Sequence, residues 1–342
     1  MSRRRRGARA ALALLVLAGV AGSAGQALAW GATGHRIIGI AAAQSLPASL
    51  PAFLRTPQAA ADIGELAREP DRWKDAGKVH DSLRDPAHFV DLDDQGRILG
   101  GPDLKALPPT KSDYDAALRA VGADSAKAGW LPYAIVDGWE QLAKDFADWR
   151  ADVAGARLEK IPAHRAWLER DRVRREALVL RDIGTFAHYV GDGSQPLHVT
   201  LHYNGWGPGP NPDGYTTLRI HAPFEGPFVR DHVTLMAVRA AMPAPADCHC
   251  SMMERTAGYL AQTASQVIPL YRLEKAGGFS GADSRGVAFA TARVAAGASE
   301  LRDLIVSAWN ASAGESVGYP STSLPDIEAG RVDAYDVLYG ED

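Results

Sequence analysis

The residues best suited to chemistry in this sequence are histidines and carboxylates that stand close together. The densest stretch is FAHYVGDGSQPLH, which contains His188, Asp192 and His198. A helix that runs through His188 to Asp192 places these side chains at positions i and i+4, on one face, where both can reach one metal ion. Gly193 and Pro196 are expected to end that helix and turn the chain, so that His198 returns to the same pocket.

Similar residues recur on both sides of this stretch. Downstream, His221 and Glu225 repeat the i, i+4 spacing, although Pro223 between them disfavours a regular helix. The upstream candidates are His35, Asp71 and His88, the last followed three residues later by Asp91. Each alone has an ordinary explanation, such as a surface histidine or a helix salt bridge. Burying five histidines and three carboxylates in a helical core would be costly without a metal. Ligands of these types suit zinc, and manganese or iron less well.

The elements that must position these residues are mainly helices. Apolar residues recur at three- and four-residue intervals, which predicts helices over residues 112–126, 134–153, 164–190, 228–242, 253–270 and 290–311. One such face, with Trp139, Leu142, Phe146 and Trp149, predicts core packing. The segment YNGWGPGPNPDGY is predicted to be an irregular surface loop. The sequence therefore predicts one all-α domain over residues 30–314, followed by an extended or mobile tail over residues 315–342.

Composition excludes several classes of protein. The chain has 342 residues, 46% of them hydrophobic and 23% charged, which excludes a disordered polyelectrolyte. Residues 1–29 hold five Arg and no acidic residue, so the remaining chain has 32 basic and 41 acidic residues and a formal charge of −9. Such an acidic body is poorly suited to coating duplex DNA. Bound metal cations can still reverse the charge locally.

Residues 1–29 have the features of a secretory signal peptide. A run of arginines precedes an Ala/Leu/Val core, and Ala27-Leu28-Ala29 matches a cleavage site. The apolar core is too short to span a membrane. The sequence therefore predicts a secreted or periplasmic protein whose mature chain begins at Trp30.

The remaining cysteines and histidines carry weaker signals. Cys248 and Cys250 are the only cysteines, and a separation of two residues strains a bridge between them. A strained disulfide, free thiols and an incidental metal clip all remain open, and a non-catalytic role is favoured. Four other histidines are interpreted as structural or surface residues: His80, His164, His202 and His232. His202 and the adjoining glycine-rich loop are also a candidate rim of the cleft.

Five motifs, in this order, resemble the S1/P1 nuclease family. They are WGxxGH from Trp30 to His35, DxxK from Asp71 to Lys74, HFVD from His88 to Asp91, HxxxDxxQPLH from His188 to His198, and HxxxE from His221 to Glu225. That family belongs to a zinc-enzyme superfamily that includes bacterial phospholipase C. The resemblance implies a mostly helical fold of the phospholipase C/P1 nuclease type, with a trinuclear zinc cleft that hydrolyses phosphoric esters through metal-activated hydroxide.

The resemblance assigns nine residues to the three zinc ions. The first ion would take Asp71, His88, His188 and Asp192; the second His198, His221 and Glu225; the third His35, Asp192 and the α-amine and carbonyl oxygen of Trp30. An α-amine has a pKa of about 7.7–8.0, so a metal can deprotonate it near neutrality. This amine exists only after the signal peptide is removed. We therefore expect the precursor to lack the third metal and to be nearly inactive.

The resemblance also implies roles in substrate binding. Asp71 would orient the attacking water and Lys74 would place positive charge at the phosphate. Phe89 would stack on a nucleobase, and Asp91 would accept hydrogen bonds from the edge of that base. Three alternatives stay open: Lys74 as an ordinary solvated lysine, Phe89 as core packing, and Asp75 in place of Asp71 as the ligand.

The expected function is therefore that of a secreted zinc phosphodiesterase. The resemblance favours an endonuclease that cuts single-stranded DNA or RNA to 5′-phosphorylated products, with 3′-nucleotidase activity as a further expectation. A phospholipase C is the alternative, because Glu225 stands where nuclease members usually have Asp. A non-catalytic zinc-binding protein is a lesser alternative. Neither stable membrane insertion nor a protein partner is implied.

Overall fold

The computed structural model describes residues 30–207 and 209–340. The predicted signal peptide, residues 1–29, lies outside these ranges. Within them the chain is mostly helical, which confirms the all-α prediction as a fold class. The sheet of this part of the chain is one antiparallel pair, β1 (Ser316–Val317) and β2 (Thr322–Ser323).

The α-helices of the described ranges are α1 (Gly31–Ala43), α2 (Pro57–Leu66), α3 (Glu69–Arg72), α4 (Lys78–Arg84), α5 (Lys111–Ala120), α6 (Ser125–Ala128), α7 (Leu131–Leu158), α8 (Pro162–Asp192), α9 (His221–Pro223), α10 (Val229–His232), α11 (Leu235–Ala241), α12 (Met252–Ala264), α13 (Val267–Lys275), α14 (Ser284–Ser312), α15 (Leu324–Glu328) and α16 (Ala334–Tyr339). Short 3₁₀ turns lie at Ala52–Arg55, Asp85–His88, Leu104–Ala106 and Pro196–His198, and a π-helical turn lies at Phe224–Phe228.

Three long helices form the centre of the molecule. Helices α7 and α8 pack along each other, and α14 packs across both. Helix α1 lies between α14 and α2, close to the end of α8. The predicted apolar face of α7 is in the core: Leu142 and Phe146 are fully buried, and Trp139 packs against the same core from a half-buried position. This framework fixes the last turns of α8, which carry His188 and Asp192.

Three predicted helices are interrupted in the structure. The helix predicted over residues 228–242 is divided between the π-helical turn, α10 and α11, because Pro227 has no N–H to donate and Thr234 caps a new helix through the Ala237 N–H. The helix predicted over residues 253–270 is divided into α12 and α13 at Ser265. The region predicted as one helix over residues 112–126 contains α5 and α6, which are separated at Gly122 with φ 76°.

The C-terminal tail is folded, which corrects the prediction that it is extended or mobile. Strand β1 and helices α15 and α16 pack against α7, α16 also contacts α8, and β2 packs against β1 and α15. The tail contributes Val317, Leu324, Ile327 and Ala334 to a small apolar cluster with Ala147, Ala151, Ala154 and Leu168. These apolar residues lie on three separate short elements, β1, α15 and α16, so they form no continuous periodic run in the sequence. The small side chains of α7 let them approach closely.

None of the helices in the described part of the chain has both the length and the apolar character needed to cross a membrane.

Candidate metal centre

The histidines and carboxylates singled out above converge at the end of α8. His188 and Asp192 lie on its last turns, and α1 brings His35 beside them. Helix α3 carries Asp71, and the 3₁₀ turn Asp85–His88 ends at His88. Among the described residues, three groups of side chains could each hold a metal ion, with ligand atoms that lie within 4.8 Å of one another.

The C-terminal turn of α8 follows the prediction from its sequence. The helix continues through Asp192 and is capped at Gly193. His188 Nε2 consequently lies 3.4 Å from Asp192 Oδ2. The 3₁₀ turn Pro196–His198 follows and returns His198 to the same region.

The first group consists of Asp71, His88 and His188, with Asp192 at its edge. His188 Nε2 lies 2.9 Å from His88 Nδ1 and 3.9 Å from Asp71 Oδ1. His88 Nδ1 lies 3.0 Å from Asp192 Oδ2. Tetrahedral zinc with bonds of about 2.0–2.1 Å separates its ligand atoms by roughly 3.3 Å, so these spacings suit a metal ion. The four residues are those that the resemblance assigns to the first zinc.

The second group consists of His198, His221 and Glu225. Glu225 Oε2 lies 2.8 Å from His221 Nε2 and 3.6 Å from His198 Nε2. The chain between His221 and Glu225 leaves α-helical geometry at Pro223 and enters the π-helical turn. The i, i+4 pair therefore meets in spite of the proline.

The third group is His35 with His188 and Asp192. His35 Nε2 lies 3.4 Å from Asp192 Oδ1, and its ring stacks on that of His188 with centroids 3.9 Å apart. The packing at Gly191 is tight, because a Cβ there would lie 3.1 Å from His35 Nδ1.

Trp30 is anchored beside this third group. Its ring is fully buried, and its indole N–H lies 2.8 Å from both the Gly191 carbonyl oxygen and the Ser194 hydroxyl oxygen. Its own carbonyl oxygen accepts the Gly34 N–H at 3.1 Å, at the start of α1. The roles of the Trp30 α-amine and carbonyl as ligands stay predictions.

Backbone carbonyls set the tautomers of two of the histidines. His188 Nδ1 lies 2.8 Å from the Ala67 carbonyl oxygen, and His198 Nδ1 lies 2.6 Å from the His88 carbonyl oxygen. A carbonyl oxygen only accepts, so each Nδ1 carries the proton and each Nε2 presents a lone pair to the centre. Metal-bound histidines in proteins are oriented in this way.

Buried polar atoms without partners show that the centre suits a cation. Among the described residues, the buried atoms with no hydrogen-bond partner include both ring nitrogens of His35 and of His221, His88 Nε2, His198 Nε2, Asp192 Oδ1 and Glu225 Oε1. An unpaired buried polar atom costs free energy, and a buried charge costs more. Each imidazole can give one of its nitrogens to a metal ion, so ions in the three groups would satisfy the ligand atoms that face them, and the residues present fit a metal.

The protonation states also favour metal binding. Burial, with a smaller contribution from His188, holds the pKa of His35 well below its usual range, and burial does the same for His88 and His188. Neutral imidazole is the form that binds a metal. Burial, followed by the charges of Asp71 and Glu225, raises the pKa of Asp192 well above normal, which reflects the cost of several carboxylates in one site. For Glu225 the effect of burial is outweighed by His221 and His198, which lower its pKa to about 2.

The structure distinguishes Asp71 from Asp75. Asp71 belongs to the first group, whereas Asp75 is exposed on the turn that follows α3 and has φ 64°. Lys74 Nζ lies 2.7 Å from Asp71 Oδ1, and both side chains are about nine-tenths buried. Lys74 is therefore not an ordinary solvated lysine.

A cleft of about 520 Å³ opens onto the centre. Its lining includes His88, His198 and His221 from the first two groups, together with the predicted substrate residues Lys74, Phe89 and Asp91. Phe89 is only partly buried, and burial raises the pKa of Asp91 to about 7.

The chain on either side of Phe89 is tightly held. Val90 N–H donates to the His198 carbonyl oxygen at 2.9 Å, and Asp91 N–H donates to the Ala128 carbonyl oxygen at 2.8 Å. Gly129 must be glycine here, because its φ is 75° and a Cβ would lie 2.0 Å from the Phe89 carbonyl oxygen. The wall of the cleft that carries Phe89 and Asp91 is therefore fixed in place.

Three functional candidates were missed from the sequence. Tyr203, about half exposed, and Lys127 line the cleft. Gln195, part of the QPLH motif, donates from Nε2 to Glu225 Oε2 at 3.1 Å and accepts the Leu197 N–H at 2.7 Å. The Gln195 side chain could have been suspected from its place in the motif, whereas nothing in the sequence marks Lys127.

The remaining candidates lie elsewhere. His202 is buried, its ring stacked on Trp206 at 3.9 Å, so it supports the glycine-rich loop from below and is not a rim of the cleft. His164 stacks on Tyr335 of α16, far along α8 from the centre. Cys248 and Cys250 form a disulfide, which selects one of the three alternatives left open by the sequence.

No protein-family model, curated protein or solved structure matches this chain.

Proposed function

We propose that this protein is a zinc-dependent phosphodiesterase of the phospholipase C/P1 nuclease type, and that it acts as an endonuclease on single-stranded DNA or RNA. The observation that carries the proposal is the convergence of three metal-binding groups at one end of a cleft that also contains Lys74, Phe89 and Asp91. Three zinc ions are proposed, one for each group, with Trp30 completing the third.

The chain's own residues suit phosphoryl chemistry. Zinc bound in the centre would supply Lewis acidity and a nucleophile at neutral pH. Asp71 lies where it can orient a water molecule, and Lys74 brings positive charge to the mouth of the centre. Gln195 and the Ala67 carbonyl hold Glu225 and His188 in place. This positioning matters because ligand orientation sets both metal affinity and reactivity.

The cleft favours a nucleic acid over a smaller phosphate ester. Phe89 and Tyr203 offer aromatic surface on which bases can stack, and base stacking tolerates different sequences. Lys74 and Lys127 add positive charge along an otherwise acidic body. The products would be 5′-phosphorylated fragments, and 3′-nucleotidase activity would use the same centre.

A phospholipase C is the second candidate, and one surface feature favours it. Helix α4 has no buried residue and exposes Val79 and Leu83, with exposed fractions of 76% and 67%. It connects Lys74 and Asp85, which both line the cleft. An apolar pair at this place would suit a lipid surface, and Glu225 is the ligand type usual in the phospholipase branch.

Secretion is part of the same proposal. We propose that residues 1–29 are removed after Ala29 and that the protein acts in the periplasm or outside the cell. The cleaved chain would have Trp30 as its N-terminus. Sequencing the N-terminus of the exported protein tests this step, and an exported chain that begins at Met1, binds three metals and is fully active would contradict it.

Paired hydrolysis assays test the proposed reaction. The zinc-loaded protein is incubated with single-stranded DNA, with RNA and with phosphatidylcholine micelles. His188→Ala serves as the inactive variant, and His164→Ala, on the same helix but outside the centre, is its matched control. We expect chelator-sensitive cutting of nucleic acid by the wild type and His164→Ala alone.

The other outcomes are equally informative. Lipid hydrolysis without nucleic-acid cutting would move the protein to the phospholipase branch. If zinc is bound but neither substrate is hydrolysed, the endonuclease and the phospholipase C proposals both fail for these substrates, and a non-catalytic zinc protein is supported.

A further inference from the structure

A disulfide lies on the surface of the molecule, away from the metal centre. Cys248 and Cys250 are joined across one residue, with Cα atoms 5.2 Å apart, in the connection between α11 and α12. Both cysteines and His249 between them are exposed. The sequence has two cysteines in all, so this bond has no competitor within the chain.

The bond does little to hold the fold together. A disulfide stabilises mainly by closing a loop of the unfolded chain, and this one closes the shortest of loops. It also joins two residues of a single connection, so it ties no two elements to each other.

Other contacts hold the connection on the molecule. Arg302 Nη1 donates to the Pro243 carbonyl oxygen at 3.0 Å, and the Ala246 N–H donates to Asp303 Oδ2 at 3.1 Å. On the far side, Ser251 and Glu254 form a capping box at the start of α12. These contacts do not involve either sulfur, so opening the disulfide leaves the connection attached to α14 and α12.

The surroundings of the bond suit thiol chemistry. The His249 side chain is 89% exposed and its backbone has φ 51°, while its N–H donates to Asp247 Oδ1 at 3.1 Å. His249 stands between the two cysteines in the chain, and its Nδ1 lies 3.6 Å from Asp247 Oδ2. An imidazole this close along the chain can give a proton to a departing thiolate. Solvent reaches the bond directly, which satisfies the access requirement for attack by an external thiolate.

We propose that Cys248 and Cys250 form an exchangeable disulfide that reacts with small thiols of the glutathione class in the folded protein. A thiolate attacks one sulfur, the Cys248–Cys250 bond breaks, and the second cysteine leaves as a thiolate that takes up a proton. A second small thiolate then attacks the mixed disulfide and releases the other cysteine. The small thiol is oxidised to its disulfide, the protein disulfide is reduced to two thiols, and the small disulfide reverses the reaction.

The test compares reduction of the native and the unfolded protein. The oxidised protein is incubated with reduced glutathione, quenched, and labelled with a maleimide for counting by mass spectrometry. Because the bond is exposed and independent of the fold, the native rate is expected to lie within about threefold of the rate in concentrated urea. Adding oxidised glutathione should restore the unlabelled protein.

Two controls sharpen this test. The His249→Ala variant keeps both cysteines and is expected to react more slowly in the native state. The Cys248→Ser/Cys250→Ser double variant should take no label and should keep the melting temperature and metal content of the wild type.

Several results would overturn the proposal. Native reduction slower than unfolded reduction by about a hundredfold or more would show that the bond opens only when the protein unfolds. Loss of structure or of metal in the double variant would show that the disulfide supports the fold.

Discussion

Two regions of this molecule bury carboxylates, and they compensate the charge in different ways. At the metal centre, Asp192 and Glu225 face imidazoles, and several buried atoms there have no hydrogen-bond partner in the described structure, among them Asp192 Oδ1, Glu225 Oε1 and both ring nitrogens of His221. Along the contact between α7 and α8, Asp148 and Asp171 share Arg175, at 3.3 Å each. The metal centre leaves carboxylate oxygens and imidazole nitrogens that a metal cation can bind. The α7–α8 contact already contains a cation, the guanidinium of Arg175.

The α7–α8 contact also contains carboxylates that protonation neutralises. Asp152 is fully buried, and neither of its oxygens has a hydrogen-bond partner among the described residues. Burial, followed by the charge of Asp171, raises the pKa of Asp152 to about 8. Burial, followed by the hydrogen bond that protonated Asp145 can donate to Asp182, raises the pKa of Asp145 to about 7.

The difference teaches that the neighbours of a buried carboxylate, more than its burial, indicate a metal site. A carboxylate next to arginine or a second carboxylate can be neutralised by an ion pair or a proton. Apart from the Gln195 amide, which donates to Glu225, the carboxylates of the metal centre face imidazoles, and a metal cation can bind these carboxylate oxygens and imidazole nitrogens together.

The largest expected effect comes from removing the imidazole at the middle of the metal centre. His188 lies in both the first and the third group, but its Nε2 has one lone pair and binds one ion. His188→Ala should therefore empty the first group and reduce bound zinc from three ions per chain to two. Loss of a direct ligand should reduce hydrolysis by more than the roughly 10–100-fold that follows loss of an outer partner. Metal analysis and the nucleic-acid assay measure the two effects. Three retained ions would contradict the grouping.

Metal removal should affect stability next most strongly. A ligand at about a thousand times its Kd stabilises the folded state by about 4 kcal/mol, which for a chain of this size is a shift in melting temperature of roughly 10 °C. We therefore expect a chelator to lower the melting temperature and zinc to restore it. Asp152→Asn should show the same zinc-dependent shift, because its region has no open metal site. A melting temperature that ignores zinc would contradict the proposed metal centre.

The third expected effect is a pH-dependent change in stability when the buried carboxylate of Asp152 on α7 is removed. The pKa of Asp152 is about 8 in the folded protein and near 3.9 in an unfolded chain. Ionisation therefore opposes folding progressively from about pH 4 to pH 8. Asp152→Asn lacks this penalty, so it should exceed the wild type in stability by roughly 2–4 kcal/mol at pH 8.5. Urea unfolding across this pH range should show the difference vanish near pH 4.

Asp148→Asn is the matched control for this prediction. Asp148 lies one turn away on the same helix, but it is paired with Arg175. Removing its charge should destabilise the protein at neutral pH, because Arg175 loses one of its two acceptors. If both variants were equally stabilised at pH 8.5, simple relief of negative charge would explain the result, and the contrast between the two carboxylates would fail.

Much of the metal centre was predictable because helical period converts sequence spacing into proximity. The His188–Asp192 pair could be placed on one face of α8 from its spacing, and the end of that helix from Gly193. The positions of Asp71 and His88 relative to His188 came from the family resemblance, since no local rule sets distances between separate segments.

The residues that were missed depend on tertiary contacts. The sequence predicts His202 at the rim of the cleft, but the structure places its neighbour Tyr203 there and buries His202 against Trp206. The geometry of the loop decides which of the two side chains faces the cleft. The burial of Asp152 also had no signal, because an aspartate on a long helix normally faces solvent. The folded tail was missed because its apolar residues form a core only with the alanines of α7.

The smallest expected effect is a change in zinc affinity, which tests whether the ammonium group of Lys74 competes with zinc for Asp71. Lys74 pairs with Asp71 Oδ1 at 2.7 Å, so a zinc ion that uses this oxygen must weaken or displace the pair. Lys74→Met removes the competitor and should tighten zinc binding to the first group by roughly tenfold, or about 1.4 kcal/mol, while hydrolysis falls. Lys127→Met is the control, because Lys127 lines the same cleft but pairs with Asp124 on an exposed surface. Competition titrations with a zinc chelator measure both variants. Equal affinities in wild type and Lys74→Met would show that zinc does not compete with the ammonium, and Asp71 would then resemble the ion-paired carboxylates of α7 and α8 more than its neighbour Asp192.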